Sequence, residues 1–378
     1  MHKTKRMLII ALPTVVWACA AVADGAGEDR KQLHHLPAAE TSRFEVTDRV
    51  WPEQPGDAHV CLWKDDKLCA LSITIDDNCA PDHQWWIEQG KKYGWHFTWF
   101  MITGRAGTGA YWGTWDEWRE MRRLGHDVQS HTVTHLHFKD EGRAEDEIKD
   151  IDAEYAISVR HIEENLNDHR CVVLAYPGGK NSQLNDRDVA AKYFIGARGT
   201  VGHINRADQI DYLNTSSVGG INIGGAPWSE FNNLLDPALY RGRGYRGWYC
   251  THFHGVKEDR RQELGEKLEY IKQREDQVWV GLFREVVMYG QQRDTARLKT
   301  LDSKSQEIRF NLSDDMDDTL FDFPLTVKVR LPDNWKTVRA TQAGTPVEVS
   351  QLEHDGSPFA LVQAVPDKGE VVLIDGRQ

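Results

Sequence analysis

Between residues 56 and 298 short β-type runs alternate with helical stretches, and beyond about residue 305 the helical periodicity disappears. That change of period constrains the fold more than any other feature. Seven or eight strands, each followed by a helical segment, predict parallel strands joined by crossover helices, and hence a parallel (β/α) barrel over 56–298. A doubly wound open sheet has the same alternation and is the alternative. After residue 305 the β runs 308–312, 325–331, 338–342, 347–352, 360–364 and 371–374 are separated by turn pairs such as Asp333-Asn334 and Asp355-Gly356. These predict a small all-β sandwich over 305–378, accessory to the barrel.

The first residues read as a targeting segment. Lys3, Lys5 and Arg6 precede the apolar run 7–16, and Ala21-Val22-Ala23 offers a small-residue cleavage site. Residues 1–23 are therefore expected to be a signal peptide, with a periplasmic or secreted mature chain and no membrane span. Residues 24–55 are polar and aperiodic, a linker or N-terminal arm. Cleavage would leave Cys61, Cys69, Cys79, Cys171 and Cys250, an odd number, so at least one thiol stays free; Cys61 and Cys69 flank a candidate hairpin and are the best candidate disulfide. A formal net charge of -12 argues against nucleic acid as a partner. The 14 Trp residues suit stacking on sugar rings as well as core packing.

Four strand ends carry the chemistry. Residues 71–75, Leu-Ser-Ile-Thr-Ile, form a β-type run that stops in Asp76-Asp77-Asn78. Adjacent strand side chains point to opposite faces, so the two carboxylates can have different jobs, and Asn78 tolerates the positive φ of a sharp exit. His131 and His135, in Ser130-His131-Thr132-Val133-Thr134-His135, end a second short strand and can converge on one ion with a carboxylate. Ala175-Tyr176-Pro177-Gly178-Gly179 ends a third. Thr251-His252-Phe253-His254-Gly255-Val256 ends a late one, with His252 and His254 on the same face. Each alone is more readily packing or turn chemistry. Together they sit at the end of the strands where barrel active sites gather.

In this order and spacing the motifs resemble the polysaccharide deacetylase family, with its NodB-like deformed α/β barrel, over roughly residues 65–295. Thr74-Ile75-Asp76-Asp77 is similar to its paired-aspartate motif, His131-Thr132-Val133-Thr134-His135 to its His-(Ser/Thr)-x-x-His motif, and Phe253-His254-Gly255-Val256 to its late histidine motif. The resemblance implies Asp76 as general base, Asp77, His131 and His135 as ligands of one divalent ion (Zn²⁺ first, with Co²⁺ or Ni²⁺ possible), and His254 as general acid. It implies that Tyr176 lends its backbone N–H to the oxyanion. Two departures stand out. The arginine usual just before the Tyr-Pro element is replaced by Leu174 and Ala175, which leaves Arg198 as one candidate for orienting Asp76. Asp208-Gln209-Ile210-Asp211-Tyr212 is only a loose echo of the family's Asp-x-x-Asp-Trp element, and no role is carried onto it.

The expected function is that of an exported, metal-dependent hydrolase removing acetyl groups from an N-acetyl amino sugar or an O-acetylated glycan. The alternative is a carbohydrate-binding protein on a catalytically lapsed barrel. A metallo-phosphoesterase would want a basic cluster near the site, and the sequence has none there.

Overall fold

The computed structural model describes residues 45–135, 150–167, 169–179, 186–200, 202–224, 230–304 and 306–377. The expected signal peptide and the arm as far as residue 44 lie outside the described residues.

The first strand, β1 (Ala58–Val60), does not belong to the barrel. The barrel begins with β2 (Cys69–Asp76), buried along its whole length, followed by α1 (His83–Tyr93), β3 (Thr98–Met101), α2 (Trp115–Arg123) and β4 (Asp127–Ser130). The stretch 115–124 predicts a helix capped by Thr114, and α2 starts there: Thr114 and Glu117 cap each other, the Thr114 amide reaching Glu117 Oε2 at 2.6 Å. Then come α3 (Ile151–Asn165), β5 (Val173–Ala175), α4 (Asp186–Ala190), β6 (Gly196–Arg198), β7 (Val218–Gly219), β8 (Trp248–Phe253), α5 (Glu258–Lys272), β9 (Val278–Val280) and α6 (Phe283–Thr295).

All pairings among these barrel strands are parallel, in the order β6-β5-β4-β3-β2-β8-β7. The sheet curls until its edges meet: Thr215 bridges to Arg198 of β6 while Val218, three residues on, pairs with Thr251 of β8. The barrel is deformed at β2. Its first residues pair with β9 and its last with β3, so two strands share one flank. The strands β2 to β6 are buried along their whole length, as in a parallel sheet covered on both faces.

Two expectations in the irregular section differ. The β-type run 216–223 predicts a strand, but only Val218–Gly219 forms one, and Gly220, at φ 80°, ends it. The stretch 229–239 predicts a helix; among the described residues single 3₁₀ turns at Asn232–Leu234 and Leu239–Gly242 stand there instead.

The C-terminal region consists of β10 (Arg297–Lys304), β11 (Glu307–Ser313), β12 (Leu325–Arg330), β13 (Val338–Gln342), β14 (Thr345–Pro346), β15 (Val349–His354), β16 (Ser357–Ala364) and β17 (Val371–Asp375). They form two antiparallel sheets, β1-β12-β16-β15 and β10-β11-β17-β13-β14. All six β runs read from the sequence are present. What the sequence does not show is that β1, more than 260 residues upstream, completes one sheet, and that β10 leads directly out of α6.

The barrel and the sandwich share one apolar core. Trp248, Trp279, Phe283 and Tyr289 from the barrel side pack in the same cluster as Ile308, Phe310, Phe321 and Val327 from the sandwich. The helix α6 lies between them and is buried on every side from Val286 to Thr295, which explains its weak amphipathic pattern. The arm continues the contact: Trp51 stacks on His354 at 3.8 Å, and Lys328 Nζ lies over the Trp51 ring.

Cys61 and Cys69 are not bonded to each other, and all five described cysteines are buried. The segment between them is not a hairpin. The Cys61 amide binds Thr326 O in the sandwich, whereas Cys69 opens β2 against β9. The two sulfurs belong to different sheets.

Candidate active site

The strand β2 ends at Asp76, and the next three residues, Asp77, Asn78 and Cys79, all take left-handed conformations, with φ of 59°, 64° and 43°. Three non-glycine residues in that region cost roughly 1–2 kcal/mol each. Asn78 holds the bend. Its Oδ1 accepts the Ile102 amide at 2.8 Å, its Nδ2 donates to Trp112 O at 2.9 Å, and its carbonyl meets His83 Nε2 at 3.1 Å. The Cys79 thiol donates to Asp76 O at 3.1 Å. The two carboxylates therefore diverge for a reason other than the one the sequence suggests. Asp77 lies beyond the strand, and the left-handed exit, not strand alternation, turns it away from Asp76.

At the end of β4 the chain makes a second tight turn, with Thr132 and His135 at φ of 68° and 62°. Glu154 of α3, fully buried, braces it: Oε2 accepts the Val133 and Thr134 amides at 2.7 and 3.0 Å, and Oε1 accepts the Thr134 hydroxyl. Nothing in the motif announces Glu154. The available signal is a carboxylate within the apolar stripe Ile151, Tyr155, Ser158, Val159 and Ile162 of an otherwise ordinary helix.

This turn aims both imidazoles at Asp77. His131 Nδ1 lies 2.7 Å from Ala175 O, and a carbonyl can only accept, so Nδ1 carries the proton and Nε2 faces the site with its lone pair. His131 Nε2 and His135 Nε2 stand 3.5 and 3.6 Å from Asp77 Oδ1. One ligand atom from each of the three residues lies within 4.8 Å of the others. His254, at the end of β8 and half exposed, brings Nε2 to 3.6 Å from Asp77 Oδ2. Burial works to raise the Asp77 carboxyl, but His131, His135 and His254, when protonated, outweigh it and bring its pKa to about 2.

Asp76 faces the other way, into the barrel. Its Oδ2 accepts from Nη2 of Arg198, and both side chains are almost wholly buried. Nη1 of Arg198 donates to Ser217 Oγ at 2.9 Å, and Ser217 Oγ meets His252 Nδ1 at 2.8 Å. Burial first, and the Arg198 charge second, push His252 down to about 4. A buried relay of Asp76, Arg198, Ser217 and His252 thus runs beneath the site. The sequence offers Arg198 as a candidate for this role but carries no local signal that joins Ser217 and His252 to it.

Tyr176 does not fit its expected place. Its amide donates to Arg198 O at 3.0 Å as part of the sheet, and its hydroxyl donates to Leu213 O at 2.8 Å. The N–H expected to face an oxyanion is committed to the ladder. In the turn that follows, Pro177 has no N–H and the Gly179 amide returns to Tyr176 O at 2.8 Å. That leaves the amide of Gly178, at φ 60°, as the donor of this turn closest in sequence.

The residues present fit a divalent ion. Oδ1 of Asp77 is buried and has no hydrogen-bond partner, although two imidazole nitrogens are aimed at it. Such an oxygen is costly unless a cation shares it. Two imidazoles and one carboxylate are the donor set of zinc and of its borderline neighbours cobalt and nickel.

Residues 65–194 match the polysaccharide deacetylase family, a span that includes Asp76, Asp77, His131, His135 and Tyr176 but not Arg198, His252 or His254. Among curated proteins the chain is similar to a gellan lyase of a Bacillus species, 38% identical over 369 residues. That match takes in 91% of this chain and only 14% of the lyase, so the chain spans a small part of that relative. Among solved structures it is similar to a Streptococcus pyogenes deacetylase in complex with acetate, with 24% identity over 39% of this chain and 62% of that one and a TM-score of 0.33. It is also similar to a family 4 carbohydrate esterase from Bacillus anthracis, with 15% identity over 58% and 82% of the two chains and a TM-score of 0.37.

Proposed function

We propose, from the premise that residues 65–194 belong to the polysaccharide deacetylase family, that this chain is a metal-dependent hydrolase that removes acetyl groups from a polysaccharide or oligosaccharide. The observation that carries this reading is the division of labour at the end of β2. Asp77 faces His131 and His135, while Asp76 is turned aside and held by Arg198.

Asp77, His131 and His135 would hold the ion. When bound it would supply Lewis acidity, polarising the acetyl carbonyl and making a water more acidic. Asp76 then takes the proton of the attacking water through Oδ1, the oxygen that Arg198 leaves unpartnered. The Gly178 amide is the backbone donor offered to the tetrahedral oxyanion, in the role that the sheet denies to Tyr176. His254, half exposed at the mouth, is placed to give a proton to the departing nitrogen or oxygen. No side chain in the set is a nucleophile of the serine or cysteine type, and the reaction proceeds by direct water attack.

The kinship with a protein named for gellan supports a polysaccharide substrate. Export, read from residues 1–23, belongs to the same proposal. A catalytically lapsed, sugar-binding barrel is the second reading, and the intact set of Asp76, Asp77, His131, His135 and His254 weighs against it. The test is acetate release from chitooligosaccharides, acetylated xylan and peptidoglycan, with metal content measured on the same preparation. Acetate from at least one substrate supports the hydrolase; a metal-loaded protein that binds these glycans and releases none overturns it in favour of the binding reading.

A further inference from the structure

A second group of carboxylates converges far along the chain, where loops of the sandwich meet the end of α6. Asp314 follows β11, Asp318 lies four residues further on, and Asp367 sits in the turn between β16 and β17. One carboxylate oxygen from each lies within 4.8 Å of the others. Asp314 is 8% exposed; its Oδ1 accepts the Met316 amide at 2.8 Å, and its buried Oδ2 has no partner. Asp367 Oδ2 accepts the Asp314 amide at 3.0 Å, and the Asp367 amide is tied to Leu312 O at 2.9 Å. The nearby cations do not balance this charge. Arg297 is engaged by Asp314 O and the Asp315 carboxylate, and Lys368 Nζ stands 3.7 Å from Asp318 alone.

Acidic clusters often exist without an ion, but here a separate element points the same way. Gln292 of α6 is fully buried, and its Oε1 has no hydrogen-bond partner. Its amide lies against the Asp314 carboxyl. A wholly buried amide oxygen without a donor is rare in a folded chain and calls for a missing partner. The loop also packs on the last turn of the helix, the Asp315 amide donating to Thr295 Oγ1 at 3.2 Å. That end of a helix carries partial negative charge and adds to the demand for a cation.

We propose that Asp314, Asp318, Asp367 and the Oε1 of Gln292 form a binding site for a hard divalent cation, Ca²⁺ in particular. The donors are oxygen only, without imidazole or thiolate, which separates this site from the one at the barrel mouth. A flexible set of three carboxylates and an amide, drawn from three segments, suits the larger and more tolerant Ca²⁺ better than Mg²⁺. Its consequence is structural. The ion fastens the β11–β12 loop and the β16–β17 turn to α6, the helix at the centre of the shared core.

The test uses the full chain, stripped with a chelator and titrated with CaCl₂ or with MgCl₂, reading the melting temperature and the ion stoichiometry. The expected result is a saturable rise with Ca²⁺, one ion per chain at this site, and a weaker response to Mg²⁺. Asp318→Asn and Asp367→Asn, both at exposed positions, are expected to weaken Ca²⁺ binding ~10-fold or more while the stripped proteins remain folded. His135→Ala is expected to leave the Ca²⁺ response intact. A wild-type protein that shows no saturable response, a response undiminished in both Asn variants, or one abolished by His135→Ala overturns the proposal.

Discussion

Arg198 donates from Nη2 to Oδ2 of Asp76, joining the end of β6 to the end of β2 across the barrel, with both side chains almost wholly buried. The same guanidinium reaches Ser217 from its other terminal nitrogen, a forked geometry that the single nitrogen of a lysine does not reproduce. Arg198→Lys is therefore expected to keep its metal and lose turnover by ~10- to ~100-fold, the worth of one hydrogen bond to a charged group. Arg198→Met leaves the carboxylate unpaired in the interior and is expected to lower stability by ~3–5 kcal/mol. Metal stoichiometry, kcat and the urea midpoint of both variants check this.

The motif residues were legible because each ends a strand, and a β-type run followed by a polar cluster is visible in one dimension. Arg198 was legible only as a cation at a neighbouring strand end. Glu154 and Ser217 were not legible in their roles. Their contacts depend on how a helix and an irregular segment meet the strand ends of the barrel, and no local period records that. The same holds for the fold. The six β runs after residue 305 were plain from their alternation, but the three-residue β1 joins them through register with β12, a long-range pairing that leaves no pattern in its own sequence. Tyr176 shows the opposite failure: the motif was found, and the ladder bond that occupies its amide was not visible in it.

Metal binding is expected to fail in His131→Ala and in His135→Ala, with activity lost in step. Glu154→Ala leaves both ligands in place but removes the acceptor for two amides and a hydroxyl of their turn. Its metal affinity is expected to fall ~10- to ~100-fold, the usual effect of losing support behind the ligands. Metal content after dialysis, compared across the three variants, provides the measurement. Stoichiometric zinc retained in both histidine variants would remove this site from consideration.

The shared core predicts that the sandwich cannot be cut away without harm. Phe310 is fully buried in the cluster that also contains Phe283 and Trp248 of the barrel side. Phe310→Ala is expected to cost ~3–5 kcal/mol, and a chain ending at residue 304 is expected to expose the apolar flank of α6 and aggregate. A truncated protein that stays monomeric with an unchanged urea midpoint would show that the barrel's core is independent.

His126 gives the stability a pH dependence of definite sign. It is 2% exposed, and its Nδ1 accepts the Phe97 amide at 3.1 Å, which it can do only when that nitrogen is unprotonated. Burial, with repulsion from His96 and His83 behind it, lowers its pKa from 6.5 to about 4. Between those values the unfolded chain holds a proton that the folded one does not, so stability rises with pH across the window and is lost as pH falls from 6.5 towards 4. In His126→Asn the amide oxygen can accept the same N–H without titrating. The slope of stability against pH in that window is expected to drop by ~1.4 kcal/mol per pH unit relative to wild type. Urea midpoints from pH 4.5 to 7 measure it; identical slopes would place the acid sensitivity elsewhere.

The sharpest separation is between the two adjacent aspartates. Asp76 meets Arg198 and has one buried oxygen without a partner, whereas Asp77 meets three imidazoles. Asp76→Asn keeps the shape but cannot take a proton from water, so metal is expected to stay while turnover falls by at least ~10²-fold. Asp77→Asn removes the anionic ligand and is expected to lose metal and activity together. His254→Ala is expected to keep its metal and fail mainly where the leaving group needs a proton. Its defect should then be small on an activated aryl acetate and large on a sugar amide, whose nitrogen cannot depart unprotonated. Metal content and turnover on both substrates, measured for the three variants side by side, decide the assignment. If Asp76→Asn loses the ion and Asp77→Asn keeps it, the two roles are exchanged; if His254→Ala is equally impaired on both substrates, the acid is another group and His254 serves only to position Asp77.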